Sequence, residues 1–302
     1  MRDWIDFGLV RDFAAEETAA YRLCTKPDGW VERYGPDALV SYKTEAAREQ
    51  ILHELDEWAL LAGQQFQRVF GRYLPKQNAE RNPPRLLSGA ADAPLQTTVL
   101  ERGVCYGLDF GAGYSTGLFL DQRENRQFVR RAAPRRMLNC FAYSCAFSVV
   151  ASLAGAETLS IDLSKKSLNR GRDNFMLNRL ATDRHRFMAD DVLSVLPRLA
   201  RKGERFDAII LDPPTFSRSR TGRAWQVEHD FEKLLLAALE VAERDAKILL
   251  STNCTRLDER ALEVMGRFCL KATRLAGTFQ ATARLLDFPP GVAARSLWMI
   301  LR

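Results

Sequence analysis

Apolar and polar positions change rhythm twice along this chain. Residues 30–42, WVERYGPDALVSY, read as two short strands around a Gly-Pro-Asp turn. Residues 44–70 place apolar side chains at helical spacing, among them Ile51, Leu55, Trp58 and Leu61. Residues 78–94 collect Asn82, Pro83, Pro84, Gly89 and Pro94 and predict a loop or linker. From residue 135 the pattern becomes strands alternating with helices. The strands are expected at 135–141 (RRMLNCF), 158–162 (TLSID), 185–190 (HRFMAD), 206–212 (FDAIILD) and 246–252 (AKILLST). Residues 146–154 are helical in composition, and a second helix runs from Ser164, its N-cap, to about residue 178. Such alternation predicts an α/β domain: a doubly wound, Rossmann-like, mostly parallel sheet with helices on both faces. A smaller mixed α/β domain, residues 1–100, is expected before it.

Composition narrows the class. A chain of 302 residues has room for two domains, and 46% hydrophobic with 27% charged residues is ordinary for a soluble globular protein. The longest apolar stretches, 147–156 and 234–242, are far shorter than a bilayer span, so no membrane association is expected. Arg2, Asp3 and Trp4 follow Met1 with no apolar signal-peptide core behind them, so a cytoplasmic enzyme is expected. Six scattered cysteines form no CxxC pair, and only His53, His185 and His229 supply imidazoles. No metal site is expected, and the shortage of histidine argues against a Ser–His–Asp or Cys–His centre. The net charge of +6 is modest, but nine lysines stand against 35 arginines. Arginine suits phosphate forks and base stacking, although its abundance alone does not establish a nucleic-acid partner.

The obvious cofactor loop is LDFGAGYSTGLF, residues 108–119, with Gly111, Gly113 and Gly117. In a doubly wound sheet the loop after the first strand approaches the ligand, and an acid ending the second strand, roughly 20 residues on, holds the ribose. The first strand-ending acid after Gly111 is Asp162, 51 residues away. Counted from Asn139 the same acid lies 23 residues on, with a helix and a strand between. The spacing therefore favours the glycine-free loop 139–147.

Six segments then occur in one order: TGLFLDQRENR (116–126), MLNCFAYSCAFSV (137–149), SIDLS (160–164), ADDVLSVL (189–196), FDAIILDPPTFSRS (206–219) and STNCT (251–255). Together they resemble the S-adenosylmethionine-dependent methyltransferases of large-subunit ribosomal RNA, in the branch that includes the cytosine-C5 enzymes. GWVERYGPDALV (29–40) resembles the family's small α/β domain. The resemblance covers most of residues 20–302. It implies a class I methyltransferase domain over 135–302, a β-hairpin and connecting segment over 101–134, S-adenosyl-L-methionine as cofactor and RNA as partner. The amino-terminal PUA domain that many members carry is not expected here, and a homodimer is compatible with the resemblance. One departure stands out: Ser144-Cys145-Ala146 replaces the family's Thr-Gly-Gly, which could narrow the pocket or shift the loop.

By this resemblance Asp121, Gln122 and Arg123 lie beside the methionine part of the cofactor, and Asn139, Phe141, Tyr143 and Ser144 line it. Asp162, with Leu163 after it, accepts from the ribose hydroxyls or else caps the next helix. Asp191 accepts from the adenine amino group, with Asp190 as competitor and helix N-terminal placement as the alternative. Asp212 ends an apolar strand before Pro213 and Pro214, where two prolines take the chain rigidly out of the sheet. There it meets cofactor and target base, while Phe216 can stack on an extruded base and Arg218, Arg220 and Arg223 can reach phosphates.

Cys254 follows another apolar strand, close to Asp212 if the two strands are neighbours. Cytosine C5 is a poor nucleophile, and a thiolate added at C6 makes it enamine-like; Asp212 as an acid at N3 favours the addition. A sister branch that methylates guanine nitrogen shares DPPTFS and has asparagine near Asn253, so both chemistries stay open. Small-molecule methylation and cofactor or RNA binding without turnover are the remaining alternatives.

Overall fold

The structure, a computed structural model, describes residues 3–76, 81–218 and 224–302. Contacts divide the chain into two units, Met1–Leu120 with Leu285–Pro290, and Asp121–Arg284 with Gly291–Arg302.

The first unit opens with helix α1 (Phe7–Ala15), capped by Asp6, and continues through strands β1 (Ala20–Lys26), β2 (Gly29–Tyr34) and β3 (Asp37–Tyr42). The expected strand pair around Gly35-Pro36 is present, in antiparallel register from Gly29↔Tyr42 to Tyr34↔Asp37. Helix α2 (Glu45–Ala62) begins at the Thr44 N-cap and stops at Gly63, whose φ of 60° is left-handed. The helix is therefore shorter than the 44–70 periodicity predicts. Ile51, Leu55 and Trp58 are buried as expected, but Leu61 is 69% exposed. Phe70 belongs to β4 (Arg68–Tyr73), which lies parallel to β3. The loop expected over 78–94 is also corrected. Its first residues lie outside the described ones, and Arg85–Gly89 form β5, antiparallel to β4. Pro83 and Pro84 end before the strand starts, and Gly71 leaves the space that Leu87 occupies, since a Cβ there would meet its side chain at 2.8 Å. Glu32, on β2, is buried between Arg22 and Arg72, at 3.1 and 3.0 Å. Strands β6 (Gln96–Glu101) and β7 (Val104–Asp109) form a hairpin in the same unit. Gly111, Gly113 and Gly117 follow its second strand; Asp109 Oδ1 accepts from Gly111 N at 2.9 Å, and Gly117, at φ 138°, has Gly107 O where a Cβ would sit. They serve turn geometry.

The second unit carries α3 (Arg123–Ala132), β8 (Arg136–Cys140), α4 (Ala146–Leu153), β9 (Glu157–Asp162), α5 (Lys165–Leu177), β10 (Arg186–Ala189) and α6 (Val192–Arg201). There follow β11 (Phe206–Leu211), the short hairpin β12 (Phe216–Arg218) and β13 (Ala224–Gln226), and α7 (Val227–Leu239). The unit ends with β14 (Ala242–Thr252), α8 (Glu259–Thr273), β15 (Gly277–Ala281) and β16 (Arg295–Leu301). The sheet order is β10-β9-β8-β11-β14-β16-β15. All five strands predicted from the sequence are parallel neighbours, whereas β16 and β15 add an antiparallel edge. Helices α3, α4 and α5 pack in series, as do α6, α7 and α8. The second series closes an apolar core with Leu138, Ile161, Ile209, Leu211 and Leu250. Chain direction across the sheet reverses between β8 and β11, which makes the crevice beyond their carboxyl ends the expected ligand position.

Candidate active site

Loop 141–145 leaves β8 at that reversal. Phe141, Tyr143 and Cys145 have φ of 58°, 47° and 58°, three left-handed residues in five, none of them glycine. Each costs on the order of 1 kcal/mol, so the surroundings must hold the loop. They do so from β9: Ala142 N donates to Ile161 O at 2.9 Å and Tyr143 N to Asp162 Oδ2 at 2.8 Å. Asn174 on α5 donates to Ser144 O at 2.8 Å. The departure at Ser144-Cys145-Ala146 is accommodated inside the protein. Cys145 is fully buried, burial pushes its thiol up to about 12, and its side chain fills the space above Gly171. A Cβ on Gly171 would stand 2.4 Å from Cys145 Sγ. Gly171→Ala is therefore expected to destabilise the chain by about 1–3 kcal/mol despite the better helix propensity of alanine. Chemical denaturation checks this, and adding Cys145→Gly should restore most of the loss.

Asp162 closes the loop from below. Its Oδ1 accepts from Ser164 N at 2.8 Å while its Oδ2 accepts from Tyr143 N. Desolvation raises its pKa, opposed by these two backbone donors. The capping of α5 falls to Ser164, whose hydroxyl accepts from Ser167 N, so Asp162 is not the cap. Asn139 is buried and donates to Ser148 Oγ at 2.9 Å. Asp190 pairs with Arg198, and Asp191 caps α6 by accepting from Leu193 N at 3.3 Å and Ser194 Oγ at 3.1 Å. Asp191 nevertheless lines a pocket with Phe141, Leu163, Val192, Leu193 and Trp225. Trp225 was not singled out in the sequence. It reaches the pocket because its indole donates to Pro214 O at 2.8 Å and its ring lies 5.6 Å from Phe141. A lone aromatic after an arginine-rich loop carries no sequence signal for that position.

The β11–β14 pairing, Leu211↔Leu250, sets Asp212 beside Ser251. Asp212 is half-buried, and its pKa is raised to about 6. Desolvation is the main cause and Asp121 adds to it, while Ser251, Arg126 and Gln122 act against them. Gln122 Nε2 donates to Asp212 Oδ2 at 3.2 Å and to Ser251 Oγ at 2.8 Å. Asp121 Oδ2 accepts from Ala294 N, and Arg123 is 1% exposed, so its side chain lies inside the protein. Pro213 is buried, Pro214 exposed, and Phe216 is 45% exposed on the β12–β13 hairpin. The backbone of Arg218 pairs with Ala224, whereas Arg220 and Arg223 lie outside the described residues.

Cys254 follows β14 and is 4% exposed, with Asn253 exposed beside it. Its thiol donates to Glu228 Oε1 at 3.4 Å, and Arg256 holds the other carboxylate oxygen at 3.1 Å. Glu228 was also missed in the sequence, since 26 residues separate it from the thiol. Among the described residues no group of His, Cys, Asp and Glu is arranged to hold a metal, and no helix is long and apolar enough to cross a membrane.

Residues 43–256 match the family model described as S-adenosylmethionine-dependent methyltransferase. The chain belongs to this family. It is 33% identical over 207 residues to the Aeromonas salmonicida ribosomal RNA large subunit methyltransferase I, covering 67% of this chain and 52% of that one. The Tolumonas auensis protein of the same name is 30% identical over 288 residues, covering 90% of this chain and 71% of its own length. The chain thus spans about half the length of some curated relatives it matches and about 71% of another. A solved S-adenosylmethionine-dependent methyltransferase from Streptococcus mutans superposes with a TM-score of 0.82 at 25% identity, over 98% of this chain and 78% of that one. A further methyltransferase structure, complexed with SAH, gives a TM-score of 0.83 at 24% identity, with the same coverage. The fold is that of a class I methyltransferase, with S-adenosylmethionine as the family's cofactor.

Proposed function

We propose that this chain methylates RNA, transferring a methyl group to a cytosine C5 of large-subunit rRNA. The relatives' names support the RNA substrate. The observation that carries the chemistry is the pairing of β11 with β14, because it brings the segment ending in Asp212 and the segment ending in Cys254 out of the sheet side by side. The residues at the end of the sheet suit the cofactor in character: Phe141, Leu163 and Trp225 are apolar side chains of the kind that flank an adenine ring, with Asp191 beside them and Asp162 at the end of β9. When bound, the cofactor supplies an electrophilic methyl on a sulfonium.

The chain's residues supply the rest. Glu228 is in reach of the Cys254 proton, leaving a thiolate to form a bond at cytosine C6. Asp212, as the acid, donates to N3, so electron density moves to C5, which takes the methyl. The C5 proton is then lost to solvent as the C6–S bond breaks and releases the thiolate, and N3 returns its proton to the Asp212 carboxylate, which restores the aromatic ring. Phe216 offers an exposed face on which an extruded base can stack. Guanine N-methylation is the second reading, favoured by the exposure of Asn253 next to a buried Cys254. Incubation with labelled S-adenosylmethionine and naked large-subunit rRNA, followed by nucleoside digestion, should yield 5-methylcytidine. Label in methylguanosine would select the second reading, and label only in small metabolites would remove both.

A further inference from the structure

Behind Asp212 runs a buried chain of side chains whose direction is fixed. The indole N–H of Trp298 can only donate. It donates to Asn125 Oδ1 at 3.0 Å, which turns Asn125 Nδ2 toward Gln122 Oε1 at 2.7 Å and Ser296 Oγ at 3.2 Å. With Oε1 engaged, Gln122 presents Nε2 to Ser251 Oγ and to Asp212 Oδ2. Ser251, accepting from Gln122, keeps its own hydrogen for Asp212. Trp298, Asn125, Gln122 and Ser251 are all 3% exposed or less, so water does not compete for the bonds among them. Reversing either amide would set oxygen against oxygen in a dry interior, a costly arrangement.

We propose that Trp298 and Asn125 are positioning residues: acting through Gln122, they keep two donors aimed at Asp212 and thereby decide how firmly that carboxyl holds its proton. Neither touches the base or the cofactor. The proposal rests on the reading of Asp212 as the acid at the target base. Asp121 and Arg126 are the charged groups acting on Asp212, and the variants below leave both in place.

The test uses the full chain labelled with ¹³C at aspartate carboxyls and titrated without substrate, the Asp212 resonance being assigned by its loss in Asp212→Asn. The wild-type midpoint is expected at about 6. Trp298→Phe keeps a ring to stack on Phe128 but deletes the donor. It should raise the midpoint by about half to one pH unit, the scale of one neutral hydrogen bond. Asn125→Ala, which removes the middle of the chain, should move it the same way. Phe128→Leu disturbs the stacking while leaving the N–H in place and should not move it. An unchanged midpoint in Trp298→Phe and Asn125→Ala overturns the proposal, as does an equal shift in Phe128→Leu. The pH dependence of methyl transfer should shift with the carboxyl. A shifted carboxyl in an enzyme whose Asp212→Asn variant methylates normally would uphold the relay and remove the catalytic reading of Asp212.

Discussion

Cys254→Ala is expected to lower the rate of cytosine methylation by roughly 10⁴-fold or more while leaving S-adenosylmethionine affinity unchanged. The reason is chemical. Cytosine C5 cannot attack a sulfonium methyl until a nucleophile has added at C6, so losing the thiol removes the reactive species itself. Cys254 is 4% exposed, and truncating it costs about 1 kcal/mol of packing, too little to unfold the chain. Serine is expected to fail as well, because its hydroxyl is far less ionised than a thiol. Single-turnover transfer and calorimetric cofactor binding, measured on one preparation, separate chemistry from folding. Full activity in Cys254→Ala would sink the thiolate mechanism and leave guanine N-methylation standing.

Asp212→Asn is expected to cost about 10²–10⁴-fold in kcat/KM, the scale of a lost general acid, and also to change the pH profile. In the wild type, kcat/KM should show a break near pH 6, where Asp212 loses its proton. The variant should lack that break. Stability also depends on pH. The folded carboxyl titrates at about 6, above its ordinary 3.8, so the folded state holds the proton more tightly than the unfolded chain. That stabilisation is fully present below pH 3.8 and is lost as pH rises through 6. Above pH 6 the charge is a liability of on the order of 3 kcal/mol, which the neutral amide of the variant would relieve. The variant should therefore melt higher than the wild type at pH 8 and lose this advantage near pH 4. A variant equally impaired and unstable at both pH values would point to misfolding instead.

Much of the second unit is legible along the chain because its signals are local. Ser164 caps α5 with its hydroxyl on Ser167 N, as the serine before a helical run predicts. The apolar runs ending in Asp162, Asp212 and Thr252 are parallel strands, since continuous β-rich runs between helices have few other solutions. The 23-residue interval from Asn139 to Asp162 led to the loop that the fold sets at the sheet's reversal. Where the reading failed, a competing local event decided. Helical periodicity continued past Gly63, but the left-handed turn there ended the helix. Proline and glycine around residues 85–89 suggested a loop, yet an edge strand of five residues needs little sequence and a partner with room for Leu87.

The sequence by itself determined that parallel strands alternate with helices and that Asp162, Asp212 and Cys254 follow apolar strand runs, because each follows from short-range pattern; the methyltransferase chemistry came from the resemblance of six segments to a known family. Only the tertiary structure decided what those groups face. It gave Asp190 to Arg198 and the cap of α6 to Asp191, brought Trp225 into the pocket and Glu228 to the thiol, and packed Cys145 above Gly171. It also joined Trp298 to Asn125 across 173 residues, fixing the orientation of Gln122 against Asp212. Periodicity reports which face of an element is buried, but hydrogen-bond polarity and desolvation depend on which distant element supplies the other atom.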